Sequence, residues 1–315
     1  MKAFVTGVAG QLGHDVMNEL AKRGYEGIGT DVAPSYSGIS DGSAVTTMPY
    51  VSLDITDKEA VEHTLTEISP DVVIHCAAWT AVDAAEDPAN AQKVMAVNIS
   101  GTEHIALACK KLDCKMIYLS TDYVFNGQGV SPWQPDCKEY APLNVYGKSK
   151  LGGELAVSEN LKKYFIVRIA WVFCLNGNNF IKTMLKLAQT HDTLQVVNDQ
   201  IGTPTYTLDL ARLLVDMAET ERYGYYHATN EGGYISWYDF ACEIFRQVGK
   251  QVTVLPVTTA EYGLSKAARP FNSRLDKHKL VENGFAPLPT WQDALTRYLR
   301  ELNIRRHWHG ERNKN

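Results

Sequence analysis

The chain has no apolar run near the roughly 20 residues that a membrane-crossing helix needs, and it has no excess of positive charge. Its 31 Lys and Arg are outnumbered by 36 Asp and Glu, for a formal net charge of −5 and a pI near 6.0. A nucleic-acid partner, which asks for a basic face, is therefore not expected, and neither is a membrane. The six cysteines, Cys76, Cys109, Cys114, Cys137, Cys174 and Cys242, form no C-x-x-C pair and no paired ligand spacing. That pattern argues against a zinc site and reads as scattered, reduced core thiols. No internal repeat is visible, so a solenoid is not expected. A strand is entered at residue 2, so no leader peptide is expected and the protein reads as cytoplasmic. What remains, at 315 residues, is one large domain or two smaller ones with a sizeable core.

What is present starts at once. Residues 2–6 read as a short buried strand, and Gly7-Val8-Ala9-Gly10-Gln11-Leu12-Gly13 follows, leading into an amphipathic helix over residues 11–23. In such a G-x-x-G-x-x-G loop the glycines allow a tight turn, close approach of backbone to a pyrophosphate, and close helix–sheet packing. The helix start then offers free N–H groups and a positive dipole end to the phosphates. The second strand, residues 25–31, ends in Asp31. A carboxylate there accepts hydrogen bonds from an adenosine ribose and repels a 2′-phosphate, so the cofactor is NADH or NADPH with Asp31 favouring NADH. Asp54, at the end of a third strand, can reach the adenine or cap the next helix, and both readings stay open.

Strand and helix patterns alternate through the first half. Residues 70–75 and 115–120 are buried-strand runs, preceded by helical patterns over 58–68 and 91–112, and residues 164–170 form another. The stretch 33–49, rich in Ser, Gly and Thr, reads as a long loop. This is the grammar of an α/β fold, a Rossmann-type doubly wound parallel sheet over residues 1–172. After residue 172 the alternation loosens into helices expected over 180–190, 208–219, 237–248 and 291–302. A smaller C-terminal α/β substrate-binding lobe is expected over 173–302, with segments near 200–230 returning to the main sheet. The basic, polar tail 303–315 reads as disordered or tag-like.

Ligands of such sheets lie beyond the carboxyl ends of the strands. His75-Cys76-Ala77-Ala78-Trp79-Thr80 falls there, its small alanines letting a dinucleotide lie close to backbone, and so does Ser120-Thr121-Asp122. Asn98, on the helical stretch between them, can hold a water or a backbone carbonyl on a proton path to Lys150, or serve as a satisfied core amide. Tyr146 and Lys150, in Asn144-Val145-Tyr146-Gly147-Lys148-Ser149-Lys150, stand i and i+4 on one helix face. An ammonium so placed is expected to pull the phenol down from its usual pKa of about 10. A tyrosine so tuned gives a proton to a carbonyl oxygen as hydride reaches the carbon.

In this order the motifs resemble the extended short-chain dehydrogenase/reductases, and within them the dTDP-4-dehydrorhamnose reductases. The resemblance runs from residue 1 to about 300. It is carried by residues 7–13, Ala77-Ala78-Trp79-Thr80-Ala81-Val82-Asp83 with Glu86, residues 120–125, Tyr146 and Lys150 followed by Gly153-Glu154, Arg168-Ile169-Ala170-Trp171, and residues 178–180, 199–205 and 269–275.

The resemblance implies reduction of a 4-keto dTDP-sugar, with Tyr146 as proton donor, Lys150 on the nicotinamide ribose and Thr121 on the substrate oxygen. It places Gly7, Gly10, Gln11, Leu12 and Gly13 on the pyrophosphate, Asp31 on the ribose, Asp54 and Ile55 on the adenine, and Ala77, Ala78, Trp79, Thr80 and Asn98 along the cofactor. Asp122 and Trp171 would touch the sugar, and Asn179 and Arg269 the nucleotide half. Arginine suits a pyrophosphate through bidentate, charge-assisted bonds. The expected partners are a dTDP-sugar and a second copy of the chain. Cys174 stands where the family usually has glycine, which is strained only if the backbone there needs a positive φ. Some relatives hold a divalent metal through glutamates, but Asp15 and Leu208 stand near those positions, so no metal is expected.

Other sugar-nucleotide reductases and epimerases share these features. A dehydratase typically adds an Asp–Glu pair after its Thr, whereas Thr121 is followed by Asp122-Tyr123. A branch of the family serves as a regulatory subunit of methionine adenosyltransferase, binding dinucleotide without turnover. The intact Thr121, Tyr146 and Lys150 favour an enzyme.

Overall fold

In the computed structural model, residues 1–312 are described, with side chains described as far as Asn303. Six strands, β1 (Lys2–Thr6), β2 (Glu26–Asp31), β3 (Tyr50–Ser52), β4 (Val72–His75), β5 (Lys115–Thr121) and β6 (Tyr164–Ile169), join the strand Gly224–His227 in one sheet. Its order is Gly224–His227, β6, β5, β4, β1, β2, β3, and every neighbouring pair is parallel. The order reverses beside β1, which opens a crevice at the carboxyl ends of β1 and β4.

The strands read as continuous apolar runs because both faces are covered. Along β1, Ala3 and Val5 pack on one side with α1 (Gln11–Lys22) and the helix Thr207–Ala218, through Val16, Leu20, Leu210 and Leu214. Phe4 points the other way, into a core with Val61, Leu65, Ile105 and Val157. Those residues belong to α2 (Lys58–Ile68) and to the helices Thr102–Leu112 and Val145–Asn160. Residues 207–227 thus return to the main sheet. A second core, built on Phe173, Ile181, Tyr206, Phe240, Ile244, Trp291 and Tyr298, lies under the helices Phe180–Leu187, Trp237–Val248 and Trp291–Arg312.

The helix expected over 237–248 keeps its bounds because capping fixes both ends. The helix Trp237–Val248 starts on a capping box, Ser236 with Asp239, and ends at Gly249 in the left-handed region. The helical stretch expected over 91–112 is three pieces. Pro88–Met95 and Thr102–Leu112 are separated by a wider π turn, Ala96–Gly101, that contains Asn98, an insertion often found at functional sites. The last helix continues past Leu302 to Arg312. Of the segment read as a tail, the side chains beyond Asn303 and residues 313–315 lie outside the described residues. Among the described residues no helix is long and apolar enough to cross a membrane.

Candidate active site

One cleft of about 860 Å³ opens over the carboxyl ends of the strands, and every residue named above as a site candidate lines it except Asn98. Gly7, at φ 71°, turns the chain out of β1, and a Cβ there would sit 2.8 Å from the backbone of Ala77. A Cβ at Gly13 would collide with the Gly7 carbonyl, so α1 can press against the loop only with glycine at that position. Gly10 is the N-cap of α1, which has no side-chain cap and no acid in its first turn. The amide donors of that turn are therefore left for an anion, which is the fit a dinucleotide pyrophosphate requires.

Asp31 lines the cleft while its carboxylate holds the loop, accepting from Val32 N at 2.9 Å and Ala9 N at 3.2 Å. Asp54 folds into a local turn, accepting from Thr56 N at 2.9 Å and Thr56 Oγ1 at 2.8 Å. The capping alternative for Asp54 falls away, because Asp57 caps α2 by accepting from Ala60 N at 3.0 Å. Asn98 sits behind the cleft wall. Its Oδ1 accepts from Trp79 N at 2.8 Å, and its Nδ2 donates to Trp79 O at 3.1 Å and Ser149 Oγ at 2.8 Å. It grips the backbone of Trp79 from outside the cleft.

Tyr146 and Lys150 lie on the helix Val145–Asn160, which Asn144 caps by accepting from Gly147 N at 2.7 Å. Glu86 accepts from Val145 N at 2.7 Å and ties that helix start to the loop after β4. The expected lowering of the phenol by the ammonium is not what this pair shows. Burial pushes Tyr146 well above the usual phenol range, with Asp122 and Tyr123 adding to the rise and a Thr121 hydrogen bond opposing it. Burial also pulls Lys150 down to about 7. With both groups dehydrated, each favours its neutral form. Asp122 is pushed up to about 6 by the same burial, against hydrogen bonds from Ser273 and Thr121. Thr121 Oγ1 donates to Asp122 Oδ1 at 2.9 Å and accepts from Tyr123 N at 3.2 Å.

The far wall is aromatic. Trp171 has φ 51°, and among the described residues the other two non-glycine residues with positive φ, Ser69 and Asp113, are helix C-caps. A bulky residue held there stores roughly 1–3 kcal/mol. It is restrained by Thr205, whose N donates to Trp171 O at 3.1 Å and whose Oγ1 donates to Ala170 O at 2.6 Å. Its indole stacks on Trp237 with ring centroids 3.7 Å apart. Arg269 reaches the cleft rim already paired, Nη2 to Asp83 Oδ2 at 2.6 Å and Nη1 to the Tyr123 hydroxyl at 3.2 Å. Asn179 caps the helix Phe180–Leu187, accepting from Lys182 N at 3.0 Å, and donates to Cys174 O at 2.6 Å.

The RmlD substrate binding domain family matches residues 1–304. The chain belongs to that family. It is 41% identical over 300 residues to the dTDP-4-dehydrorhamnose reductase of Streptomyces griseus, covering 93% of this chain and 91% of that one. The crystal structure of a dTDP-4-dehydrorhamnose reductase from Clostridium acetobutylicum superposes with a TM-score of 0.86 at 39% identity, over 96% of this chain and all 100% of that one. That of the Bacillus anthracis enzyme, in complex with NADP, gives 0.84 at 37% identity, over 96% and 100%.

As a member of the RmlD family, the chain was expected to differ from its relatives at Cys174. That residue is buried and its φ is not positive, so the thiol strains no backbone there. Near Asp15, the Oδ1 atom pairs with His14 Nδ1 at 3.1 Å and Thr207 Oγ1 donates to Oδ2. Among the described residues no cluster of three or more metal-ligating side chains is present.

Several residues at the cleft escaped the sequence reading. Tyr123 stands edge-on to Tyr146 at 5.7 Å. Trp237 and Phe240 face the cleft from i and i+3 of one helix, a spacing visible in the sequence but equally that of an ordinary core. Asn176 donates to Gly10 O at 2.9 Å, and Gln11 Nε2 donates to Asn178 O at 3.0 Å, so the second lobe clamps the glycine loop. No local signal in residues 174–179 points to that contact.

Proposed function

We propose that this chain reduces the 4-keto group of dTDP-4-dehydro-L-rhamnose to dTDP-L-rhamnose, using a reduced nicotinamide dinucleotide and Tyr146 as proton donor. The observation that carries the reading is one cleft with an uncapped glycine-loop helix start at one end, Tyr146 and Lys150 in the middle, and Trp171 with Arg269 at the far rim. Named relatives at 36–41% identity over most of the chain are dTDP-4-dehydrorhamnose reductases, which supports the substrate class. Residues 1–172 with 207–227 would hold the dinucleotide, and the second lobe the sugar nucleotide.

The dinucleotide, when bound, supplies the hydride that reaches C4. The amides of residues 10–13 would hold its pyrophosphate, Asp31 and Asp54 its adenosine half, and the backbone of residues 77–80, fixed by Asn98, its inner half. Tyr146 gives its proton to O4 as charge develops there, and its neutral form is the one burial favours. Lys150 stabilises the phenolate left behind, and Thr121 would turn its hydroxyl from Asp122 to donate to O4. Asp122 and Trp171 orient the sugar. Arg269 would exchange Asp83 for the substrate diphosphate, so its positive charge is never left unpaired.

Within the nicotinamide cofactors we assign NADH as the preferred one, from the carboxylate of Asp31. The Bacillus anthracis relative in complex with NADP makes that preference the finer point to test. The assay is oxidation of NADH and of NADPH by pure protein with dTDP-4-dehydro-L-rhamnose, with Tyr146→Phe as control. Turnover that requires the substrate and Tyr146 supports the reading. Tight dinucleotide binding with no oxidation would replace it with a regulatory role.

A further inference from the structure

Lys150 is a buried cation whose charged and polar neighbours are already committed elsewhere. The residue is 3% exposed. On its own helix, Glu154 lies one turn on, but both carboxylate oxygens are taken by Arg168, at 2.8 Å each. After β4, Cys76 is held as a neutral thiol, pushed up to about 12 by burial. At the end of β4, His75 is neutral, pushed down to about 3 by burial and by Lys150, and its ring nitrogens face Thr6 Oγ1 at 2.8 Å and Thr102 Oγ1 at 3.1 Å.

One group on β5 does engage the cation. Tyr118 is fully buried and its ring centroid lies 4.1 Å from Lys150 Nζ. The same side chain donates its hydroxyl to the backbone carbonyl of Lys150 at 3.2 Å. The helix comes this close because residue 153 is glycine, and a Cβ there would collide with the Tyr118 hydroxyl. His75 stacks against the ring at 5.9 Å and keeps it from turning away.

We infer that Tyr118 is a positioning residue for the Lys150 ammonium, with its ring face underlying the cation and its hydroxyl fixing the backbone of the same residue. A desolvated ammonium over an electron-rich ring regains part of what it has lost from water, so the ring opposes the neutralisation that burial favours. The hydroxyl fixes where along the helix that charge enters the cleft. The inference rests on Lys150 being the catalytic cation, and its test includes an arm that needs no turnover.

The experiment is a pH titration of 13Cε-lysine-labelled protein by NMR without cofactor, with the Lys150 signal assigned by its loss in Lys150→Met. Tyr118→Leu should lower the Lys150 midpoint by about 0.4–1.5 pH units, the span that cation–π strengths imply. Tyr118→Phe, which keeps the ring, should return it to the parent value. Pentafluorophenylalanine placed at 118 keeps the shape and reverses the ring polarity, so it should lower the midpoint even if the leucine variant does not fold. In the reductase assay the alkaline limb of kcat/KM should move down with the midpoint while KM for the sugar nucleotide stays put. An unmoved midpoint with both the leucine and the fluorinated side chain, or a shift as large with phenylalanine, would overturn the inference. A moved midpoint with an unmoved rate profile would uphold the clamp and overturn the role given to Lys150.

Discussion

Two buried charges one turn apart on the helix Val145–Asn160 have opposite fates. Glu154 meets Arg168 in a two-pronged pair, both side chains fully buried, and Arg168 also donates to Pro135 O at 3.0 Å and the Tyr140 hydroxyl at 3.1 Å. Lys150 is just as dry, yet it has a ring face beneath it and the cleft before it. A buried ion whose hydrogen-bonding capacity is filled is a structural tie between helix and β6. A buried ion left open is held at a cost for the sake of chemistry. Burial also explains why Tyr146 is raised where a lowered value was expected: a dehydrated phenol with Asp122 and Tyr123 beside it resists ionising.

Changes on the two sides of this comparison should separate activity from stability. The largest effect belongs to the open side. Tyr146→Phe should lower kcat by about a thousandfold, the scale of a lost general acid, while the dinucleotide Kd from fluorescence titration stays unchanged. On the filled side, Arg168→Met leaves Glu154 buried and unpaired and should remove about 3–5 kcal/mol in urea unfolding. Adding Glu154→Leu to it should restore most of that stability, and failure to do so would mean the pair is not what ties the helix down. Lys150→Met should do the reverse of Arg168→Met, abolishing turnover while raising Tm by about 3–6 °C, since it removes a dehydrated cation.

The pH dependence sharpens the same point. Burial pulls Lys150 down to about 7 in the folded chain, below the ordinary lysine value of 10.5. The cation is therefore present below that midpoint and lost above it, so kcat/KM should fall as pH rises through about 7. Between that midpoint and the ordinary lysine value the unfolded chain binds the proton more tightly, so this group makes stability rise with pH there. A stability that fell over that range in the parent but not in Lys150→Met would contradict the assignment. The smallest effect lies at the far wall. Trp237→Leu should raise the KM for the sugar nucleotide about fivefold, the worth of one aromatic pair, with kcat little changed. It should also abolish the exciton couplet of the stacked indoles in circular dichroism.

Much of the dinucleotide half was legible beforehand because its signals are local. Gly10 and Gly13 answer to the Gly7 carbonyl within one turn of chain, and the strand runs are apolar throughout because helices cover both faces. Asp31 and Tyr146 sit where strand ends and helix spacing put them. Asn98 was left between two readings because a buried amide looks the same in sequence whether it faces a ligand or a backbone, and the structure has it on the backbone of Trp79. Arg269 was legible as a cleft arginine, but not its pairing with Asp83, which is far away in the chain.

By itself, the order of residues determined the doubly wound sheet, the glycine loop and the i, i+4 placement of Tyr146 with Lys150, since each follows from neighbours along the chain. Tertiary structure alone decided which charges are filled and which are left open, that Trp171 takes a strained backbone against Trp237, and that Tyr118 lies under Lys150. Those outcomes depend on dehydration and on contacts between distant segments, and no local pattern encodes either.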